Sequence, residues 1–366
     1  PPPPPPPPPP PFFFHAQAAN RDSSTSRGLG DVYKRQVLTL SLILIACSGG
    51  TEEAGCPEIN DRQINVVATT PMIGEFVSQV GGDNINLTVL MPPEADPHTY
   101  DPAPQDAGKI ADADLVFYTG LKYEPAALIK LLENSACGAE VLAEVGENVY
   151  PIEFKEGGHD DHDDHGEEGH DDEEGHDDEE GHDDHAGHGH GAYDPHFWFD
   201  PNRVAYAAEY IEGKLTEFDS ANAADYEASS NAFTSELNDL SRQVSELISS
   251  VPSQNRKLIT THESLGYLEA KYGLEILSTI IPSLSSANEI SPAELVDVID
   301  VIEDNNVKVI FIEAEAPSVY AETIVAETNI KAVTGLWVET LKENQSYADF
   351  LISNVKLITD SLKDLD

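Results

Sequence analysis

The chain has 366 residues, enough for two ordinary domains, and carries 67 acidic against 20 basic residues for a formal charge of −47. That balance excludes nucleic acid, whose phosphates it would repel, and favours cationic ligands. Three cysteines without a CxxC pair give no sign of a thiolate metal site.

Residues 1–36 read as a non-native leader. Eleven prolines followed by Phe12-Phe13-Phe14 resemble no domain, and Gly28 to Gln36 looks like translated sequencing adapter. Residues 37–47 read as a secretory signal. Lys34 and Arg35 precede an apolar run, Val37 to Ala46, that is too short to cross a bilayer. Its ending, Leu44-Ile45-Ala46-Cys47, resembles a bacterial lipobox with Cys47 as the lipidated residue. Residues 48–57 would then be a tether, and no later segment is long and apolar enough to span a membrane. The expected location is the extracytoplasmic face of the cell envelope, held through the lipid alone. Cys56 and Cys137 remain, and an exported chain with two leftover cysteines suggests one disulfide.

From Ile64 onward short apolar strands alternate with helical patterns. Ile64–Ala68, Asn86–Leu90, Leu115–Tyr118 and Val141–Leu142 read as strands, with helices at Met72–Val80 and Pro125–Leu132. After residue 252 the theme returns with strands Lys257–Thr261, Glu275–Leu277, Val307–Ile312 and Ala332–Val333. Ser291-Pro292-Ala293-Glu294 is a helix start with a capping box. Alternation of this kind predicts parallel sheets covered on both faces. Between the halves Tyr226, Phe233, Leu237, Leu240, Val244 and Leu247 keep helical spacing over about six turns. Asp219 or Ser220 would cap this helix, and Pro252 lies past its end. The spacing predicts an α/β chain of two lobes, 58–218 and 253–366, each a mainly parallel sheet flanked by helices. One long rigid helix, 219–252, joins them.

Three histidines stand out. His98 lies in D-P-H-T-Y-D-P, His196 in D-P-H-F-W-F-D-P and His262 in T-T-H-E-S-L-G-Y. His98 follows one strand and His262 another, and ligands of parallel α/β sheets bind beyond the carboxyl ends of strands. Zinc favours four-coordinate sites of imidazole and carboxylate, so a fourth ligand is expected from the C-terminal half. Glu313 and Glu339 both follow strands there; one would bind the metal while the other steadies an imidazole N–H.

Residues 156–191 form an insert of His, Asp, Glu and Gly that repeats G-H-D-D-E-E twice and holds 17 of the acidic residues. Charge repulsion and glycine spacing predict that it stays unfolded. Its nine histidines, His159, His162, His165, His170, His176, His182, His185, His188 and His190, read as weak metal sites among the acids.

Beyond these features the chain resembles the metal-specific solute-binding proteins of bacterial zinc and manganese ABC importers. The resemblance rests on V-V-A-T-T-P-M, M-P-P-E-A-D-P-H-T-Y-D-P-A-P-Q-D, D-P-H-F-W-F-D-P, T-T-H-E-S-L-G-Y-L-E-A-K-Y-G-L and A-E-T-I-V-A-E-T. It covers nearly all of residues 64–366. It implies two lobes holding one divalent ion, with His98, His196 and His262 as ligands and an ABC permease and its ATPase as partners. The family's final carboxylate is an Asp in an S-D-S-L-like segment; this chain reads Val338-Glu339-Thr340-Leu341, which puts Glu339 there. Manganese-type members often carry Glu where this chain has His262, and three imidazoles suit zinc better than manganese.

The expected function is therefore capture of Zn2+ for import, with Mn2+ as the alternative cargo. An envelope metal store or adhesin is a further alternative. A zinc hydrolase is the remaining one, and His262-Glu263 lacks the H-E-x-x-H spacing that a metalloprotease would show.

Overall fold

A computed structural model of the protein describes Cys56, Ile59, residues 62–154, 193–315 and 319–363, and Leu365. The leader, the signal with Cys47, most of the tether and the histidine-rich insert lie outside the described residues.

The first half is a four-stranded parallel sheet. Strands β1 (Ile64–Ala68), β2 (Ile85–Val89), β3 (Leu115–Tyr118) and β4 (Leu142–Glu144) stand in the order β2-β1-β3-β4. Central β1 pairs with both neighbours and is almost wholly buried, which its I-N-V-V-A composition allows. Helix α1 (Pro71–Gly81) follows at once because Thr70 accepts a hydrogen bond from the Ile73 N–H and Pro71 fits the first turn. Its stripe Met72, Ile73, Phe76, Val77 and Val80 has no exposure, and a Cβ on Gly74 would come within 2.6 Å of Val89. Helices α2 (Pro104–Ala111) and α3 (Ala126–Ser135) complete this half, and Cys56 is bridged to Cys137.

Helix α4 (Pro201–Phe218) is capped by Asp200 through the Asn202 N–H. The long helix α5 (Ala223–Ser249) is 27 residues, about 40 Å at 1.5 Å per residue. Its start differs from the sequence expectation. Asp219 ends α4 and a 3-10 turn, Ser220–Asn222, intervenes. The Asp219 Oδ2 takes hydrogen bonds from the Asn222 amide and the Tyr226 hydroxyl at 2.7 and 2.8 Å, and the cap position of α5 falls three residues later, on Asn222. At the far end Ile248 is buried, while Leu247 is only partly so.

The second half contains α6 (Gly266–Tyr272), α7 (Pro292–Asp304), α8 (Val319–Thr328) and α9 (Tyr347–Lys363). Its strands form two parallel pairs, β5 (Lys257–His262) with β6 (Glu275–Ile281) and β7 (Val309–Glu313) with β8 (Lys331–Leu336). The pairs meet where the Glu313 N–H donates to Thr261 Oγ1 at 3.0 Å. The Ser291 capping box forms as expected, each partner of Ser291 and Glu294 bonding the other's backbone N–H.

One apolar cluster runs between the halves, from Ile64 and Phe76 through the buried face of α5 to Phe311 and Ile358. Each half has a second cluster on its outer side, around Val116 and Leu128 in the first and Ile259 and Ile310 in the second. The α5 helix thus packs on α4, α1 and α9, binding the halves along its length.

Candidate metal centre

The site lies where the carboxyl ends of β5 and β7 meet the loops that follow β2 and precede α4. The two D-P-H sequences do the same local work. Asp96 Oδ1 accepts the His98 N–H at 2.9 Å, and Asp194 Oδ1 accepts the His196 N–H at 2.8 Å. In each case the Asp side chain closes a turn around the proline and turns the histidine inward. Asp194 Oδ1 also lies 2.8 Å from His196 Nδ1, which commits Nε2 to the interior. His262 is the last residue of β5. Its backbone N–H donates to Glu313 Oε1 at 3.3 Å and its Nδ1 lies 2.5 Å from Glu313 Oε2.

The Nε2 atoms of all three rings face Glu339 Oε1, at 3.3 Å from His98, 3.5 Å from His196 and 2.7 Å from His262. His196, His262 and Glu339 have no exposure, and neither buried Nε2 makes a hydrogen bond of adequate geometry. A buried ring nitrogen left in that state costs free energy unless something else satisfies it. One ligand atom from each of the four residues lies within 4.8 Å of the other three. Four donors about 2.0–2.1 Å from a tetrahedral zinc would lie about 3.3 Å apart, close to the 3.3 and 3.5 Å that separate Glu339 Oε1 from His98 and His196. Between the two carboxylates left open by the sequence, Glu339 stands among the imidazoles and Glu313 stands behind His262.

The Glu339 segment is placed by a bulge. Between Ile312 and Glu313 the β7–β8 register shifts, and Gly335 takes a φ of +93° that favours glycine. Trp198 then donates to Val338 O at 2.8 Å, and Glu315 Oε1 accepts the Val338 and Glu339 N–H groups at 3.1 and 3.2 Å. The Tyr123 hydroxyl lies 2.9 Å from both the Glu339 backbone oxygen and its Oε2.

Electrostatics follow from this packing. Burial would lower the His196 value, but the charge of Glu339 and the bond to Asp194 outweigh it and raise it to about 9. Burial acts the same way on His262, and Glu313 and Glu339 push it well above the ordinary value. Glu339 would be raised by burial, yet the three histidines hold it well below the carboxylate range. Burial and the neighbouring Glu339 charge push Glu315 up to about 8. Burial, aided by Glu339, lifts Tyr123 well above its usual value, so the phenol keeps its proton.

Sequence reading missed Asp194, Tyr123, Trp198 and Glu315. Only Asp194 left a signal, its place two residues before His196 in a motif that repeats at Asp96.

A family model described as the periplasmic component A of the zinc-uptake complex matches residues 66–361. The chain is 25% identical to the metal ABC transporter substrate-binding lipoprotein ScbA of Streptococcus cristatus, across 90% of this chain and 98% of that one. It is 26% identical to the manganese ABC transporter substrate-binding lipoprotein PsaA of Streptococcus anginosus, across 89% and 97%. Its fold is similar to that of the periplasmic zinc binding protein TroA from Treponema pallidum, with a TM-score of 0.67 at 21% identity over 82% of this chain and 99% of that one. The chain belongs to the family of the periplasmic zinc-uptake component A, metal-binding solute-binding proteins of ABC transporters and not enzymes.

Proposed function

We propose that the protein captures Zn2+ through His98, His196, His262 and Glu339 and delivers it to the permease and ATPase of an ABC importer. The observation that carries this reading is the convergence of three imidazole Nε2 atoms on one carboxylate oxygen, at spacings a tetrahedral zinc would span. His98 and His196 come from the lobe 58–218, and His262 and Glu339 from 253–366, so the ion bridges the lobes. Cys47 carries the lipid that holds the receptor on the extracytoplasmic face of the membrane. The histidines of residues 156–191 act as weak collecting sites around the tight one.

Manganese is the second reading, favoured by the name of the relative from Streptococcus anginosus. Manganese prefers more oxygen ligands than one carboxylate supplies, and three imidazoles suit zinc. Metal content of the purified chain, followed by chelator competition with Zn2+ and Mn2+, decides between them. Zinc binding at least tenfold tighter is expected, on the softness of the donors. Equal or tighter manganese binding refutes the zinc assignment. Undiminished uptake in cells lacking the partner permease would favour an envelope store instead.

A further inference from the structure

The Glu339 carboxylate has two oxygens in different surroundings. Oε1 faces the three imidazoles at 2.7 to 3.5 Å. Oε2 lies 2.9 Å from the Tyr123 hydroxyl, which is also 2.9 Å from the backbone oxygen of Glu339. The phenol has one proton to donate, and the charged Oε2 is the stronger acceptor, so its grip is on the side chain. Turning the carboxylate to present both oxygens to an ion would break that grip.

Tyr123 is itself held firmly. It is 1% exposed, its ring stands edge-on to Trp198 at 5.2 Å, and its backbone N–H donates to Gly120 O at 2.9 Å. The turn before it is pinned by buried Glu124, which accepts from the Thr69 hydroxyl and from the Thr119 and Gly120 N–H groups at 2.7 to 2.9 Å. Opposite, Glu315 fixes the Glu339 N–H at 3.2 Å. Neither the phenol nor the main chain of Glu339 is placed to yield.

We infer that Tyr123 is a specificity-determining residue, which holds Glu339 to a single metal-binding oxygen and thereby keeps the site four-coordinate. This rests on the proposed metal site and adds the reason for its choice of ion. Zinc is satisfied by four ligands, whereas manganese gains from a carboxylate that chelates with both oxygens. Removing the hydroxyl frees Oε2 to do so.

The test is Tyr123→Phe in the full chain, which keeps the ring and its packing. Zn2+ and Mn2+ affinities are measured by competition. The visible spectrum of the chain with one equivalent of Co2+ is recorded against a His196→Ala control that lacks the site. Tyr123→Phe is expected to lower the zinc-to-manganese affinity ratio about tenfold or more, the range typical for partners of metal ligands. The strong absorption of tetrahedral cobalt should fade with it. An unchanged ratio and spectrum overturn the inference while leaving the metal site standing. A wild-type spectrum identical to the His196→Ala control overturns the site itself, and the inference with it. X-ray absorption of the wild-type chain with one equivalent of zinc tests the same point without a variant. Four donors with one zinc–oxygen distance are expected, and two oxygens from one carboxylate would overturn the inference.

Discussion

Loading the site should release protons in a countable way. In the metal-free protein the His196 value stands at about 9 and that of His262 well above the ordinary imidazole, because Glu339, Asp194 and Glu313 surround them. A group with a value of about 9 is roughly 99% protonated at about pH 7. A metal takes only the neutral imidazole, so each of these two rings must shed a proton. Binding should thus release about two protons from them at about pH 7, and affinity should rise up to about a hundredfold per pH unit between about 6.5 and 8, less steeply as pH nears the His196 value. Calorimetry with sub-stoichiometric zinc, repeated in buffers of different ionisation enthalpy, gives the proton count as a slope. A slope below one, or affinity that stays flat from about pH 6.5 to 8, would show that Glu339 does not hold protons on these rings.

Other outcomes follow from the same geometry. His98→Ala, His196→Ala and His262→Ala should each weaken the tight site by more than about a hundredfold, beyond the usual cost of losing a ligand's partner; chelator competition reads this, and near-wild-type affinity in any of them removes that residue from the site. Glu313→Gln leaves His262 in place but replaces its charged partner, and should cost about ten- to a hundredfold in zinc affinity with the fold unchanged by circular dichroism. Deleting residues 156–191 should abolish the weak sites and keep the tight one, since all four candidate ligands lie outside it; loss of the tight site in calorimetry would place a primary ligand in the insert. Raised His196, His262 and Glu315 values stabilise the metal-free fold when those groups are protonated. Its melting temperature should therefore fall as pH rises from about 6.5 to 9, whereas that of the zinc-saturated protein should not; a rise in the metal-free form would contradict the charge arrangement.

Much of the site was legible because its histidines sit in short phrases whose local chemistry is self-contained. The Asp-Pro-His turns are closed by the first residue of each phrase, so they read the same in sequence and in space. The strand pattern alone left Glu313 and Glu339 open, and only the family resemblance pointed to Glu339. The choice turns on the register shift at Glu313 and the left-handed Gly335, which decide how far past the strand each carboxylate reaches. Tyr123 and Trp198 look like ordinary core aromatics in sequence, and their polar ends find partners more than a hundred residues away. Strand positions came out to within a few residues, while the division of the second half into two ladders was not read. The start of α5 was misplaced because Asp219 has the right chemistry for a cap, but a 3-10 turn over Ser220–Asn222 moves the cap position to Asn222.

The ends of the described chain on either side of the insert are pinned to each other. Glu153 pairs with Tyr193 in an antiparallel bridge, and the Asp194 N–H donates to Ile152 O at 3.0 Å. Tyr267 clamps the same spot, accepting the Ile152 N–H and donating to Asp194 O at 3.2 and 2.8 Å. His196 follows three residues after that bridge. The entropy of closing a segment between fixed ends grows only with the logarithm of its length, about 0.6 kcal/mol for each doubling. If the insert stays unfolded, as its composition predicts, residues can be added to or lost from it at small thermodynamic cost, with His196 held in register by its own clamp. The junction is a natural grafting point, where a reporter or a chelating tract could be spliced in without retuning the candidate ligand beside it.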